Sequence, residues 1–302
     1  MEIPAAPAAP LRAILLMVAA MAGFAVADMF IKLATEDLPP GQILLTLGLG
    51  GTAVFATLSA RHGFLLLGPD LWHPAILVRM VGEALGTMGF VLALTLTTLS
   101  TVSAVLQAAP LAVTLGAGLF LGEPVGWRRW LAVVVGFVGV LIMLQPDGSG
   151  LNHGALLALL SVIGLSARDL VTRRVPARIP SLILATYGFI ALVPSGLILL
   201  GISGGARWPT AATTAALCGM IAVACLSSFA LTLSLRAGNI AVVAPFRYTR
   251  LIFAFGLGAV VFDDRLTPAI LLGASLVAGA GIYTFYREGR LRRLARRAAS
   301  IG

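Results

Sequence analysis

The feature that most limits how this chain can fold is a recurring apolar run of about twenty residues, the length a helix needs to cross a bilayer. Ten such runs can be marked, near 13–34, 41–60, 75–98, 101–121, 127–144, 154–172, 180–201, 211–235, 240–262 and 267–286, with short connections between them. The expectation is a polytopic, all-α membrane protein. Its composition agrees, with 59% of the 302 residues hydrophobic, 11% charged and a mean hydropathy of +1.00. Trp72, Trp127, Trp130 and Trp208 fall at or next to the ends of these runs, where interfacial aromatics belong.

A formal charge of +9 could point to a nucleic acid, but the arginines sit between the spans and in the tail. Fifteen fall on one side, against Lys32, Arg207 and Arg265 on the other, with Arg168, Arg247 and Arg250 left inside spans. That asymmetry places both termini in the cytoplasm and makes a nucleic-acid partner unnecessary. Arg12 before an apolar stretch ending in Ala25-Val26-Ala27 imitates a secretory signal, yet this span has a counterpart later in the chain, so no cleavage is expected. Residues 1–10, with three prolines among alanines, read as an unstructured tail. Cys218 and Cys225 lie within one apolar run, which argues against a disulfide or a metal site. His62, His73 and His153 fall in or beside loops, away from any triad-like arrangement. No cofactor, metal or catalytic group is expected, and a membrane-embedded enzyme is the weaker class.

The chain also repeats itself. Asp28 returns as Asp169, Lys32 as Arg173, Gly23 as Gly164, Pro39 as Pro180 and Glu123 as Asp264, in each case 141 residues on. Five spans per half turn the second copy upside down relative to the first. The expected architecture is ten transmembrane helices in two inverted five-helix repeats, residues 1–145 and 146–286, followed by a basic cytoplasmic tail, 287–302. Within the tail, Arg287 to Arg297 with Leu291 and Leu294 reads as a short helix on the anionic leaflet.

Charge inside the spans marks the candidate site. An arginine near the midplane costs at least about 2.5 kcal/mol and is tolerated facing a wet cavity or a carboxylate. Arg247 and Arg250 lie in the run that begins at Asn239, at a depth similar to that of Glu83 by helical rise, so the three are expected to meet. The alternative is an Arg79–Glu83 pair at i,i+4 that merely hides charge. Asp28 with Lys32, and Asp169 with Arg173, each set an acid one turn before a base and suggest two gates, one per face. The alternative there is flanking charge at span ends. Phe24, Phe90, Phe246, Tyr248 and Phe253 could stack on a flat ligand, and Pro110 and Pro245 should kink their helices.

Several stretches resemble the EamA-type drug/metabolite transporter superfamily. They include Ser103-Ala-Val-Leu-Gln-Ala-Ala-Pro110 leading to Phe120-Leu-Gly-Glu123-Pro124, and Val243-Ala-Pro-Phe-Arg247-Tyr248 leading to Phe262-Asp-Asp264. The second copy has Asp264 where the pattern usually has Glu. The resemblance implies a carrier with a central cavity between the two halves. Phe24-Ala-Val-Ala-Asp28-Met-Phe-Ile-Lys32, Leu38-Pro-Pro-Gly41-Gln42 and Ala244-Pro-Phe-Arg247-Tyr248-Thr249-Arg250 look most like the bacterial riboflavin importers and their S-adenosylmethionine-carrying relatives. From this follow a bacterial inner-membrane location, a small-molecule substrate, the lipid bilayer as surroundings, and a unit that works as a monomer with a dimer possible. Riboflavin uptake is the leading expectation, and amino-acid, metabolite or drug export on the same frame is the alternative. The expected substrate-binding set is Glu83, Arg247, Tyr248, Arg250, Phe24 and Phe90, with Asp28, Lys32, Asp169 and Arg173 as gates.

Overall fold

The computed structural model describes residues 10–64, 69–122, 126–144, 153–172, 174–176, 178–237 and 240–299. The 1–9 tail and Glu123, Pro124, Arg173 and Asn239 lie outside these residues. Among the described residues there is no strand. In chain order the helices are α1 (Pro10–Ala34), α2 (Pro40–Arg61), α3 (Pro74–Leu96), α4 (Leu99–Leu106), α5 (Ala109–Phe120), α6 (Trp127–Leu144), α7 (His153–Thr172), α8 (Ser181–Ile202), α9 (Ala211–Ala237), α10 (Ile240–Val243), α11 (Thr249–Val261) and α12 (Pro268–Ala299). A 3-10 turn, Pro69–Trp72, precedes α3, and another, Ala244–Tyr248, joins α10 to α11. Nine described segments are long and apolar enough to span a membrane, α4 and α5 counting together as one.

Two of the ten runs are broken, both beside a proline. The run at 101–121 interrupts at Gln107 and Ala108, and Pro110 falls in the first turn of α5, where its missing N–H would have had no intrahelical partner. The run at 240–262 is α10, the Ala244–Tyr248 turn with Pro245 in it, and then α11. The two breaks face each other, because the Gln107 side-chain amide donates to the Arg247 carbonyl at 3.2 Å. Pro194, by contrast, sits inside α8 without ending it. The basic tail is helical, as expected of Arg287 to Arg297, but it is not a separate helix. It continues α12 to Ala299 without a boundary, since no proline interrupts a stretch rich in arginine, leucine and alanine, all good helix formers.

The strongest helix pairings are α1 with α9, α3 with α7, α2 with α8, and α6 with α12. Glycine makes the approach possible. A methyl group at Gly164 of α7 would sit 2.5 Å from the Gly86 nitrogen and 3.0 Å from the Gly82 carbonyl of α3, and one at Gly23 of α1 would collide with Ser227 and touch Val223 of α9. Ser227 and Val223 stand 141 residues beyond Gly86 and Gly82, so the second contact is the first with the halves exchanged. Local geometry repeats at the same offset. Pro39 (φ −64°, ψ 143°) and Pro180 (φ −63°, ψ 146°) open α2 and α8 alike. Gly122 (φ 65°) and Asp263 (φ 52°) adopt the left-handed turn that follows α5 and α11. The tryptophans stand exposed, and the Arg128 guanidinium lies over the Trp127 ring at 5.2 Å.

Candidate functional site

α1 is apolar apart from its first turn and its last two, where Asp28 and Lys32 lie. Asp28 is 4% exposed and meets Arg250, in the first turn of α11. Arg250 donates from Nε at 3.1 Å and from Nη2 at 2.5 Å to the same oxygen, Oδ2 of Asp28. Phe24, one turn before Asp28 on α1, lies beneath the guanidinium at 5.5 Å. Ion pair and ring together hold the planar cation between α1 and α11, which come from opposite halves of the chain. In an apolar bundle such a charge-assisted pair is stronger than at a wet surface, and leaving either member alone is costly.

The second cluster lies between α3 and α7. Arg168 Nη1 reaches Glu83 Oε1 at 2.9 Å, while its Nε and Nη2 both bind Asp169 Oδ1, at 2.8 and 2.7 Å. Arg79 stands 3.8 Å from the other Glu83 oxygen and donates to Thr172 Oγ1 at 3.1 Å and to the Leu184 carbonyl at 3.0 Å. Arg247 lies within Coulombic range of Asp169. Two carboxylates therefore meet the guanidinium groups of Arg168 and Arg79, with Arg247 near enough to be felt. Glu83 and Arg250 do not form the constellation expected of them. Depth along the two helices is similar, but the glycine face of α3 turns Glu83 toward α7, whereas α11 packs on α1 and α4. Arg168, to which sequence reasoning gave no role, takes the place assigned to Arg250. The signal for it was a second charge directly beside Asp169 in an otherwise apolar span.

Lys32 and Asp28 share a helix face without pairing to each other. Lys32 Nζ instead donates to the carbonyls of Leu94 at 2.6 Å and Thr97 at 2.9 Å, at the C-terminal end of α3. At the start of α4, Asp264 Oδ2 accepts from the Ser100 amide at 3.0 Å. The same end carries a clasp in which the start of α2 holds the α8–α9 connection and the α1–α2 connection holds the start of α9. There Gln42 exchanges two hydrogen bonds with the backbone of Arg207, at 2.8 and 2.9 Å, and Asp37 accepts from Thr213. Asp169 joins the Arg168 cluster described above, and its expected companion Arg173 lies outside the described residues.

Phe90 and Tyr248 belong to the packed core, at 6% and 5% exposure. The Tyr248 ring fills the space that a side chain at Gly281 of α12 would need, and its hydroxyl is buried without a partner, as are those of Ser103 and Ser161. His73 is a helix cap rather than a free loop side chain, its Nδ1 accepting from the Ala75 amide at 3.2 Å. Both cysteines are free thiols. No cluster of three or more His, Cys, Asp or Glu suited to a metal occurs among the described residues.

These paired charges inside a polytopic helical bundle suit a protein that moves a polar solute. Residues 11–145 match the model of the EamA-like transporter family. The chain is 32% identical over 221 residues to a riboflavin transporter of Rhizobium johnstonii, covering 72% of each chain. It is 26% identical over 270 residues to the pseudopaline exporter CntI of Pseudomonas aeruginosa, covering 89% of this chain and 94% of that one. A solved crystal structure shares its fold, with a TM-score of 0.60 at 18% identity over 90% of this chain and 98% of the other. Apolar helices sufficient for many crossings, charges paired within them and these relatives lead to one conclusion: the chain is a multi-pass membrane transporter that belongs to the EamA-like transporter family of the drug/metabolite transporter superfamily.

Proposed function

We propose that this chain is a secondary carrier that takes up riboflavin across a bacterial inner membrane by alternating access. The observation that carries the substrate is the 32% identity to a protein named riboflavin transporter over 72% of both chains. The architecture proposed with it is ten spans, the tenth being the broken run from α10 through α11, in two inverted repeats, 1–145 and 146–286. Both ends are then cytoplasmic and the monomer is the working unit. The exchanged contacts of Gly164 with Gly86 and of Gly23 with Ser227 support the inversion.

In this reading the substrate binds between the halves at the level of the paired charges. Arg250 offers planar donors to the carbonyls and hydroxyls of the ligand, and Phe24 offers a ring face to a flat heterocycle. Arg247 and Glu83 supply a further donor and acceptor, while Tyr248 and Phe90 enter the site as the core opens, Tyr248 bringing a buried hydroxyl that lacks a partner in this structure. Asp28, Lys32, Asp169 and Arg173 serve as gates. Arg250→Lys keeps the charge and removes the fork. It should lose riboflavin uptake into proteoliposomes by about tenfold or more, the scale of one lost charge-assisted hydrogen bond, with the melting temperature held. Full uptake in Arg250→Lys and Arg247→Lys would end the guanidinium assignment. Wild-type protein that carries amino acids or S-adenosylmethionine but not riboflavin would end the substrate.

The resemblance to an exporter over 89% of the chain favours one second reading, that the same carrier runs outward. Uptake and efflux rates at equal and opposite gradients decide between the two, a faster outward rate favouring export.

A further inference from the structure

Where α3 hands over to α4, two helix ends of opposite polarity meet within two residues. Carbonyls left over at the end of α3 carry partial negative charge, and amides at the start of α4 carry partial positive charge. Each is met by the complementary ion. The Lys32 ammonium sits on the Leu94 and Thr97 carbonyls, and the Asp264 carboxylate sits on the Ser100 amide. Lys32 comes from α1 and Asp264 from the turn after α11, so one point holds together elements of both halves. The two ions also act on each other.

How Asp264 is delivered argues for a purpose. Asp263, the residue before it, takes a left-handed conformation (φ 52°) that side chains rarely adopt, and the Asp264 amide closes the turn on the Gly258 carbonyl at 3.0 Å. Gly258 leaves the room for this. A methyl group there would collide with both the Ser100 hydroxyl and the Asp264 carboxylate. That hydroxyl is fully buried and has no partner, so Asp264 satisfies the α4 amide but not everything the pocket offers. An unpartnered buried hydroxyl costs free energy in this arrangement, which lowers the cost of leaving it.

We propose that Asp264 is the latch of one gate of the transport cycle. In the closed form it caps α4 against Lys32, and its departure from the Ser100 amide frees the end of α11 from α4 and opens that end of the bundle. The arginine distribution places this end outside. The latch rests on the carrier reading for its function, but not on the identity of the substrate.

The test measures opening rather than transport alone. In a background with Cys218 and Cys225 replaced by serine, Ser103→Cys places a near-isosteric thiol one turn deeper on α4 than the latch. Ser103 itself is 2% exposed. Its reaction with a membrane-impermeant maleimide is followed in right-side-out proteoliposomes. Asp264→Asn, which keeps the acceptor and removes the charge, should raise the labelling rate by about tenfold, the size of a lost charged cap. Asp264→Glu should restore slow labelling at least in part. Gly258→Ala, which pries the same contact apart while leaving both ions in place, should match Asp264→Asn. Unchanged labelling in Asp264→Asn and Gly258→Ala, with melting temperatures near wild type, overturns the latch. Riboflavin uptake in the same vesicles reports the carrier reading separately, since a working latch with no uptake leaves only the substrate wrong.

Discussion

Asp28 and Arg250 form a buried ion pair in which each is the other's only charged partner among the described residues, so neither can be removed without leaving a lone charge in an apolar bundle. Removing one member of a buried pair costs about 3–5 kcal/mol because the other is left uncompensated, while replacing both is often close to neutral. Asp28→Asn should therefore lower the melting temperature in detergent, and the double variant Asp28→Asn with Arg250→Gln should regain most of the loss without regaining transport. A double variant as unstable as the single one would show that the pair is not the cause. Both residues were legible in the sequence as charges out of place in apolar runs. Their pairing was not, because counting residues from a span end gives depth and says nothing about which way a side chain faces. That is also why Glu83 was matched to Arg250, when rotation of α3 delivers it to Arg168.

At the scale of helices, close approach is written in glycine. Gly164→Ala meets only backbone atoms of Gly82 and Gly86, which have no side chain to move aside, so it should destabilise by about 1–3 kcal/mol. Gly256→Ala in α11 and Gly279→Ala in α12 meet nothing within 4 Å and should be neutral or stabilise by about 0.5–1 kcal/mol. Melting temperatures of the three variants check both halves of this, and a stable Gly164→Ala would mean that α3 and α7 can part without penalty. Span positions and the breaks at Pro110 and Pro245 could be read from the chain, because apolar length and a missing N–H are local properties. The merging of the basic tail into α12 could not, since a change from apolar to charged composition marks a change of surroundings and not of backbone conformation.

For the molecule as a whole, the proposed topology puts the exposed connection after α8 outside and the one after α2 inside. Ser203→Cys should react with an impermeant thiol reagent in right-side-out vesicles, and His62→Cys only after the membrane is opened; the opposite pattern would invert the orientation. The sequence repeat was visible as five matched residues, but the contacts that it implies became visible only when Gly23 met Ser227 as Gly164 meets Gly86. Their near-equivalence bears on direction. If each face is sealed by an exchanged copy of the contacts that seal the other, facing inward and facing outward differ in free energy only through substitutions that break the exchange, such as serine at 227 against glycine at 86. An equilibrium so nearly balanced leaves the two directions kinetically alike, with the imposed gradient setting the sense of net flow. Running the other way would then need no change of architecture, and the side with more solute would decide which way this carrier runs.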